Sequence, residues 1–322
     1  MLILIRSSAV AIVALVAFCF STGCGHPSES LREAGDASTA DARATPPYYR
    51  VDGGRGATLL LLGTIHVGPK AGWSLSPAIE SGIAAADQVA LEVDLRLATE
   101  DAVSSLVAEL ALLGPGQKIS DVVAPETAKL LEQEDERLTR LGVPPGMRQR
   151  MKPWFMATVL GESIYSEIGL SSEAAVEYRI LEALDDRPLI ALETFEEQLR
   201  IFDSLSPELQ DVMLRETLMQ LDEARQTVEE LVLAWRTGNE KELARLAREG
   251  IDELPELDHF YDVVLGDRNR RWVKQLRPLL DDRSHAGESV LVAVGALHLV
   301  GRDSVVEQLR AKGYRVEKVS RR

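Results

Sequence analysis

Two of the five histidines in this 322-residue chain stand three residues after a glycine that ends an apolar run. The segment "TLLLLGTIHVGP" contains Gly63 and His66, and "SVLVAVGALHLVG" contains Gly295 and His298. A short apolar run that ends at glycine is typical of a buried strand followed by a tight turn. The pattern predicts that both imidazoles face the mouth of a sheet. The alternative is that each ring caps backbone groups or packs in the core.

Two glutamates occupy the ends of two further apolar runs. Glu92 lies in "QVALEVD", and Glu193 closes "PLIALE". Because parallel sheets bind their ligands at the carboxyl ends of the strands, we expect both carboxylates to lie near the two histidines. Alternatives remain for both residues. Glu92 could pair with an arginine or cap a helix, and Glu193 could begin a helix with Thr194, where a carboxylate favours the dipole.

Two imidazoles and a carboxylate are the ligands of many catalytic zinc sites, in which water takes the open position. Sites with more carboxylates suit manganese and other first-row metals equally well. A metal in such a site activates water or polarises a carbonyl, and a glutamate outside the ligand set can act as general base. The strand ends therefore predict metal-assisted chemistry.

A third polar cluster is "GDRNRRW", which contains Arg268. The planar guanidinium of Arg268 could clamp a carboxylate or a developing oxyanion. The alternative interpretation is a solvated helix face.

The apolar runs that carry these residues predict an α/β fold with a central, mostly parallel sheet built from βα units. "TLLLLG", a helix that begins at Pro77 and "QVALEVD" form a βαβ unit, which implies parallel pairing. We expect a large helical insertion over about residues 100–285, with "PLIALE" as a strand inside it. The alternating segment "YRVEKVS" predicts a last strand at an edge of the sheet. The folded domain is expected to cover residues 51–322.

The first 50 residues are expected to lie outside the fold. Residues 1–23 contain one early charge and an apolar stretch, as a secretory signal peptide does. Small residues precede Cys24 as in a bacterial lipobox, so Cys24 is the expected lipidation site; plain secretion and an uncleaved anchor are the alternatives. Residues 24–50 are rich in Ala, Ser, Thr, Asp and Pro and predict a flexible tether. Together they predict an exported lipoprotein that faces the periplasm, with a preference for the outer membrane.

The chain is acidic, with a formal net charge of −15, which becomes −16 without Arg6, the one charged residue among residues 1–23. Such a protein repels polyphosphate and anionic lipid at long range, so nucleic acid is excluded as an expected partner. Membrane attachment should come from the lipid on Cys24. The only other cysteine is Cys19 in the predicted signal peptide, so the mature chain has no internal disulfide and no cysteine-based metal site.

Six segments, in their order and spacing, resemble the TraB/GumN family of bacterial proteins. They are "LLGTIHVGP", "ALEVD", "KPWFMATVL", "ALETFEEQL", "RNRRW" and "AVGALHLVG". The family is related to the Tiki proteases of animals and, more distantly, to the ChaN and erythromycin-esterase-like group. The resemblance covers roughly residues 51–320. It implies metal-dependent peptidase activity supported by manganese or cobalt, while the ChaN branch binds haem.

The resemblance also assigns individual residues. It maps the two Gly-x-x-His motifs onto the segments described above, the family glutamate onto Glu92, and the Arg-Asn pair onto Arg268 and Asn269. One element departs from the family pattern. Many relatives carry Gly-x-Asp before the third strand, where this chain has Ala175 and Glu177.

The leading hypothesis is a metal-dependent hydrolase of the bacterial cell envelope, in particular a peptidase, that acts on a peptide or small-molecule substrate. His66, Glu92 and His298 would hold a divalent ion of manganese, cobalt or zinc. Glu193 would be a further ligand or the general base, and Arg268 with Asn269 would orient substrate or stabilise charge. The alternatives are a non-catalytic envelope lipoprotein that binds a peptide, haem or another small ligand, and a lipid-tethered scaffold.

Overall fold

The computed structural model describes residues 43–248 and 256–319. The predicted signal peptide, Cys24 and most of the predicted tether lie outside the described residues. Within these two ranges, no helix combines the length and the apolar composition that a membrane span requires.

A six-stranded sheet forms the centre of the fold. Its strands are β1 (Tyr48–Asp52), β2 (Thr58–Thr64), β4 (Gln88–Leu91), β6 (Leu189–Ala191), β7 (Ser289–Gly295) and β8 (Arg315–Lys318). A separate pair consists of β3 (Gly68–Pro69) and β5 (Leu170–Ser171). The large sheet has the order β6-β4-β7-β2-β1-β8, with β6, β4, β7 and β2 parallel and β1 antiparallel to both of its neighbours. The predicted α/β class, the mostly parallel sheet and the last strand at an edge are confirmed.

The predicted pairing of β2 with β4 is wrong. The two strands are parallel, but β7 lies between them and pairs with both. Strand order depends on contacts between segments that are about 200 residues apart, which no local pattern encodes. In the β2–β7 pair, Gly63 is opposite Val294 and Thr64 is opposite Gly295. The two Gly-x-x-His segments therefore follow the carboxyl ends of two neighbouring parallel strands, on the same side of the sheet.

The fold begins before the predicted boundary at residue 51. Tyr48 and Tyr49 lie in β1 with buried side chains, and the backbone of Ala44 pairs with Ser74 and Leu75. These residues could not be distinguished from the tether by composition, because Tyr48 and Tyr49 are the only large side chains with apolar surface among residues 43–50. The end of the predicted tether is therefore part of the sheet domain.

Helices cover both faces of the sheet. In chain order they are α1 (Pro77–Ala85), α2 (Glu100–Leu106), α3 (Pro125–Gln133), α4 (Asp135–Arg140), α5 (Pro145–Arg148), α6 (Pro153–Glu167), α7 (Val176–Glu182), α8 (Phe195–Asp203), α9 (Pro207–Thr237), α10 (Glu240–Arg248), α11 (Glu256–Tyr261), α12 (Asp267–Asp281) and α13 (Val305–Ala311). The segment around residues 100–285 is mainly helical, as predicted, and contains β5 and β6.

Alternating side chains of β2 and β7 face two separate apolar cores. Leu62 and Leu291 belong to a core shared with α6 and α9, whereas Leu61 and Val292 belong to a core shared with α12 and α13. Because both faces are covered, the strands are apolar throughout, as parallel strands buried on both sides require. The polar residues of these segments are confined to the strand ends.

Candidate functional site

The carboxyl ends of four neighbouring parallel strands lie on one side of the sheet, and each strand is followed by a polar residue. In the sheet order β6, β4, β7, β2, these residues are Glu193, Glu92, His298 and His66. None of the four is more than 8% exposed. The structure thus brings together all four residues that were expected at the strand ends, and their catalytic and metal-binding roles stay predictions.

Glu92 lies between the two histidines. Its Oε1 atom is 4.0 Å from Nε2 of His66 and 3.8 Å from Nε2 of His298. Gly63 lets the two motifs pack closely, since a Cβ added there would lie 3.1 Å from both Cα and Cβ of Ala296. Nε2 of His66 and Nε2 of His298 thus face the same oxygen, Oε1 of Glu92.

His66 is oriented by a carboxylate from the helical insertion. Its Nδ1 atom is 2.8 Å from Oε1 of Glu177, which is buried near the start of α7. The β3–β5 pair brings the two segments together, because Gly68 pairs with Ser171 and approaches Ala174 too closely for any side chain. A carboxylate in this position holds the proton on Nδ1 and leaves Nε2 directed into the site.

Glu177 is also the residue at which the chain departs from the Gly-x-Asp pattern. Ala175 has φ −61° and ψ 152°, an ordinary extended conformation that does not require glycine. Glu177 supplies a carboxylate, as the aspartate of the family pattern does, on a side chain that is one methylene longer. Burial alone would lower the pKa of His66, but the negative charge and hydrogen bond of Glu177, together with the charge of Glu92, raise it above its ordinary value.

Replacing Glu177 with glutamine is expected to lower the pKa of His66, because the amide can accept the hydrogen bond but carries no charge. An NMR titration of the His66 ring protons measures the change in chelator-treated protein. Glu173→Gln, at an exposed position on the preceding turn, is the matched control. An unchanged His66 titration in Glu177→Gln would show that the contact does not control this ring.

His298 is held in the opposite electrostatic environment. Its Nδ1 atom is 2.7 Å from Oδ1 of Asn269, and its Nε2 atom is 3.1 Å from Nη1 of Arg268. Because a guanidinium can only donate, Nε2 accepts and Nδ1 carries the proton. The ring of Trp272 lies beneath, with its centroid 4.4 Å from that of the imidazole. Burial and the positive charge of Arg268 lower the pKa of His298 to about 3.

The two histidines predict different pH windows for stability in metal-free protein. His298 stays neutral when folded but takes up a proton near pH 6.5 when unfolded, so stability falls as the pH drops from 6.5 towards 3. His66 has a raised folded pKa, so its contribution is complete below pH 6.5 and is lost as the pH rises through that pKa. Between pH 6.5 and 5, His298 should lower the stability by about 1 kcal/mol per pH unit on average, because the unfolded imidazole is half protonated at pH 6.5 and almost fully protonated at pH 5.

Urea unfolding at pH 6.5 and pH 5 in the presence of a chelator measures this slope. The slope should be smaller in His298→Gln than in the wild type by that amount. Equal slopes in the wild type and His298→Gln would contradict the assignment.

Arg268 is the centre of the site, and its interpretation as part of a solvated helix face is wrong. It is 4% exposed, and each of its N–H groups has a partner. Nε donates to Glu193 at 3.0 Å, Nη2 donates to Glu193 at 2.6 Å and to Glu92 at 2.5 Å, and Nη1 contacts His298 and the Val264 carbonyl at 3.1 Å each. The guanidinium also lies over the ring of Trp272, with Cζ 4.7 Å from the centroid. One buried cation thus links two strand-end carboxylates and one histidine.

Glu92 is held in its charged form by these neighbours. Burial would raise its pKa, but Arg268 lowers it to about 2, together with the Gly295 N–H, which donates to Oε1 at 2.7 Å. Nε2 of Gln198 donates to the other oxygen at 3.1 Å. The alternative that Glu92 pairs with an arginine is therefore correct for one oxygen. Oε2 binds Arg268, whereas Oε1 faces the two histidines.

Glu193 lies on the far side of Arg268. Its oxygens accept from Nε and Nη2 of Arg268, and the half-exposed Arg271 is 3.5 Å from Oε2. The adjacent capping box of Thr194 and Glu197 also forms, with hydrogen bonds of 2.7 and 3.1 Å, so the helix-start alternative is correct as well. Burial raises the pKa of Glu193. These contacts position Arg268. The role of Glu193 as a general base or metal ligand stays a prediction.

The side chains are of the kinds that bind a divalent metal, but their arrangement is closed around Arg268. No group of three or more His, Cys, Asp and Glu side chains in the described ranges is arranged to hold a metal ion as it stands. Tetrahedral bonds of 2.0–2.2 Å require donor separations of roughly 3.4 Å. The separations of 4.0 and 3.8 Å between Glu92 and the rings must therefore contract, and His298 must give up its contact with Arg268.

Three residues of the site have no role assigned from the sequence. Glu177 is only a departure from the family pattern there, and Gln198 and Trp272 are only part of the segments "ALETFEEQL" and "RNRRW". A signal existed for Trp272, because it follows Arg268 by four residues and so lies on the same helix face. Glu177 has no such local signal, since it reaches His66 only through the β3–β5 pair.

Comparison with known proteins agrees with the resemblance found in the motifs. The model of the TraB/PrgY/gumN family matches residues 48–318. The chain is 25% identical over 254 residues to the "Uncharacterized protein YbaP" of Escherichia coli (strain K12), an alignment that covers 78% of this chain and 87% of that protein. It is 23% identical over 312 residues to the "Metalloprotease TIKI1" of Danio rerio, covering 80% of this chain and 60% of that protein. No solved structure matches. The chain belongs to the TraB/PrgY/gumN family.

Proposed function

We propose that this protein is a metal-dependent hydrolase that cleaves a peptide or a related amide or ester bond. The observation that supports the proposal most strongly is that Nε2 of His66 and Nε2 of His298 both face Oε1 of Glu92, at 4.0 and 3.8 Å, on adjoining parallel strands. The distant similarity to a protein named as a metalloprotease points to the same reaction class.

His66, Glu92 and His298 would hold the ion, which we propose to be manganese, cobalt or zinc. When bound there, such an ion lowers the pKa of a water molecule or polarises a carbonyl. Glu177 and Asn269 fix the outer nitrogens of the two rings, so that each Nε2 lone pair is directed before the ligand arrives. Outer partners of this kind typically change metal affinity or activity by roughly 10–100-fold when removed.

Arg268 and Glu193 supply charge on the other side of Glu92. The guanidinium of Arg268 is held beside the site by the paired Glu193 carboxylate and by the Trp272 ring, so its positive charge can stabilise negative charge that develops there. The raised pKa of Glu193 suits a group that accepts a proton at Oε2 and returns it to a leaving group.

We also propose that the chain is exported and acts in the cell envelope, tethered through a lipid on Cys24. This proposal rests on the sequence of the first 24 residues, which lie outside the described ones. Metabolic labelling with a radioactive fatty acid should label the wild-type protein and not Cys24→Ser. Equal labelling of both would exclude Cys24 as the attachment site.

The hydrolase proposal is tested by incubating the purified protein with a defined peptide mixture and following cleavage by mass spectrometry. We expect new termini that disappear with a chelator and return when manganese, cobalt or zinc is added back. Peptide capture without cleavage, unchanged by the chelator, would instead support the non-catalytic binding protein and contradict the hydrolase.

A further inference from the structure

The strand-end site already contains a buried cation. Arg268 reaches it from α12, is 4% exposed and donates to Glu92, Glu193, His298 and the Val264 carbonyl. Its single positive charge lies between two carboxylates and balances one of their two negative charges. If no side chain moved, a metal ion bound by Glu92 and His298 would therefore lie against the guanidinium of Arg268.

The contact between Arg268 and His298 is incompatible with a metal bond to the same atom. Nε2 of a neutral imidazole has one lone pair, and Nη1 of Arg268 uses it at 3.1 Å. A metal bound to this nitrogen would lie about 2.0–2.1 Å away in the same direction. The guanidinium hydrogen and the metal cannot both occupy that position.

Only part of Arg268 has to move. Its Nε and Nη2 atoms donate to Glu193, and Nη2 also donates to Oε2 of Glu92, whereas Nη1 contacts His298 and the Val264 carbonyl. A turn of the guanidinium about the Glu193 pair breaks the contact with His298 and keeps the paired carboxylate bonds. Glu92 can then give Oε1 to the metal, while Oε2 retains Gln198.

We propose that Arg268 is a displaceable counter-cation of the metal site. Without metal, Arg268 closes the site by binding His298 and Glu92; with metal, its Nη1 atom leaves His298 while Glu193 keeps the guanidinium nearby. The inference rests on the proposed function, because it concerns the same three ligands. It gives Arg268 a reason to lie among two carboxylates and one ring, and it makes metal affinity depend on the exchange of one cation for another.

The test compares metal binding by the wild type, Arg268→Met and the control Arg270→Met. Methionine has similar length and no donor, and Arg270 is a half-exposed residue on the same helix that pairs with Asp267 on the surface. Isothermal titration with zinc or manganese should show affinity for Arg268→Met about tenfold or more above the wild type. The metal should also raise the Tm of Arg268→Met more than that of the wild type, because the ion replaces a lost charge. Arg270→Met should behave as the wild type.

A second measurement needs no variant. In a crystal structure of the wild type loaded with manganese, Nη1 of Arg268 should lie more than about 4 Å from Nε2 of His298, beyond hydrogen-bonding distance, with the Glu193 contacts intact. Bound metal with that contact still formed, or affinity in Arg268→Met no greater than in the wild type, overturns the exchange. Such a result leaves the hydrolase proposal standing. Metal exchange without any metal-dependent cleavage refutes the hydrolase proposal and leaves the exchange standing.

Discussion

Arg268→Ala is expected to lower the free energy of unfolding at pH 7 by about 3–5 kcal/mol, the usual cost of leaving buried charges without their partner. The substitution leaves the carboxylates of Glu92 and Glu193 buried at 7% and 5% exposure without their shared cation. It also removes the guanidinium that packs on Trp272. Urea denaturation of metal-free protein measures the change.

Arg270→Ala is the matched control, because the neighbouring residue pairs with Asp267 on the surface and both side chains are about half exposed. Exposed pairs contribute less than about 1 kcal/mol, so this variant should unfold almost as the wild type does. Arg268→Lys keeps the charge but has a single nitrogen, and it should fall between the wild type and Arg268→Ala. A loss of less than about 1 kcal/mol in Arg268→Ala would contradict the central position that we assign to this cation.

The second large effect concerns the two motif histidines. His66→Ala and His298→Ala should each reduce metal-dependent hydrolysis by more than the roughly 10–100-fold that outer partners of a metal site account for. The reason is geometric, since each ring supplies one of the two nitrogens that face Oε1 of Glu92. The measurement is the initial rate of peptide cleavage at saturating metal, with circular dichroism to confirm that each variant is folded.

His285→Ala is the control for a histidine outside the site. Its ring pairs with Glu288 just before β7, at the opposite end of that strand from His298. Its rate should match that of the wild type. Cleavage that persists at the wild-type rate in either His66→Ala or His298→Ala would remove that histidine from the mechanism.

The sequence was sufficient for the parts of the site that depend on local pattern. Apolar runs ending in Gly63 and Gly295 predicted buried parallel strands, and the rule for parallel sheets then placed His66 and His298 at one edge. The glutamate after β4 followed from the same argument. No property of the segments themselves could show that β7 inserts between β2 and β4, because that order arises from pairing between distant strands.

Arg268 shows why the rest of the site could not be predicted. Its segment also contains the half-buried Asp267 and the exposed Arg270 and Arg271, so its composition is that of a surface helix. Burial of one arginine in such a segment is tolerated only because carboxylates 75 and 176 residues away in sequence surround it. The partners of a buried charge are a property of the tertiary fold.

The most direct test of the account is the metal content of the purified protein, measured by elemental analysis after loading with manganese, cobalt or zinc and dialysis. We predict close to one ion per chain in the wild type and a small fraction of that in His66→Ala. The absence of bound metal from both proteins, or equal amounts in the two, would contradict a metal centre formed by His66, Glu92 and His298.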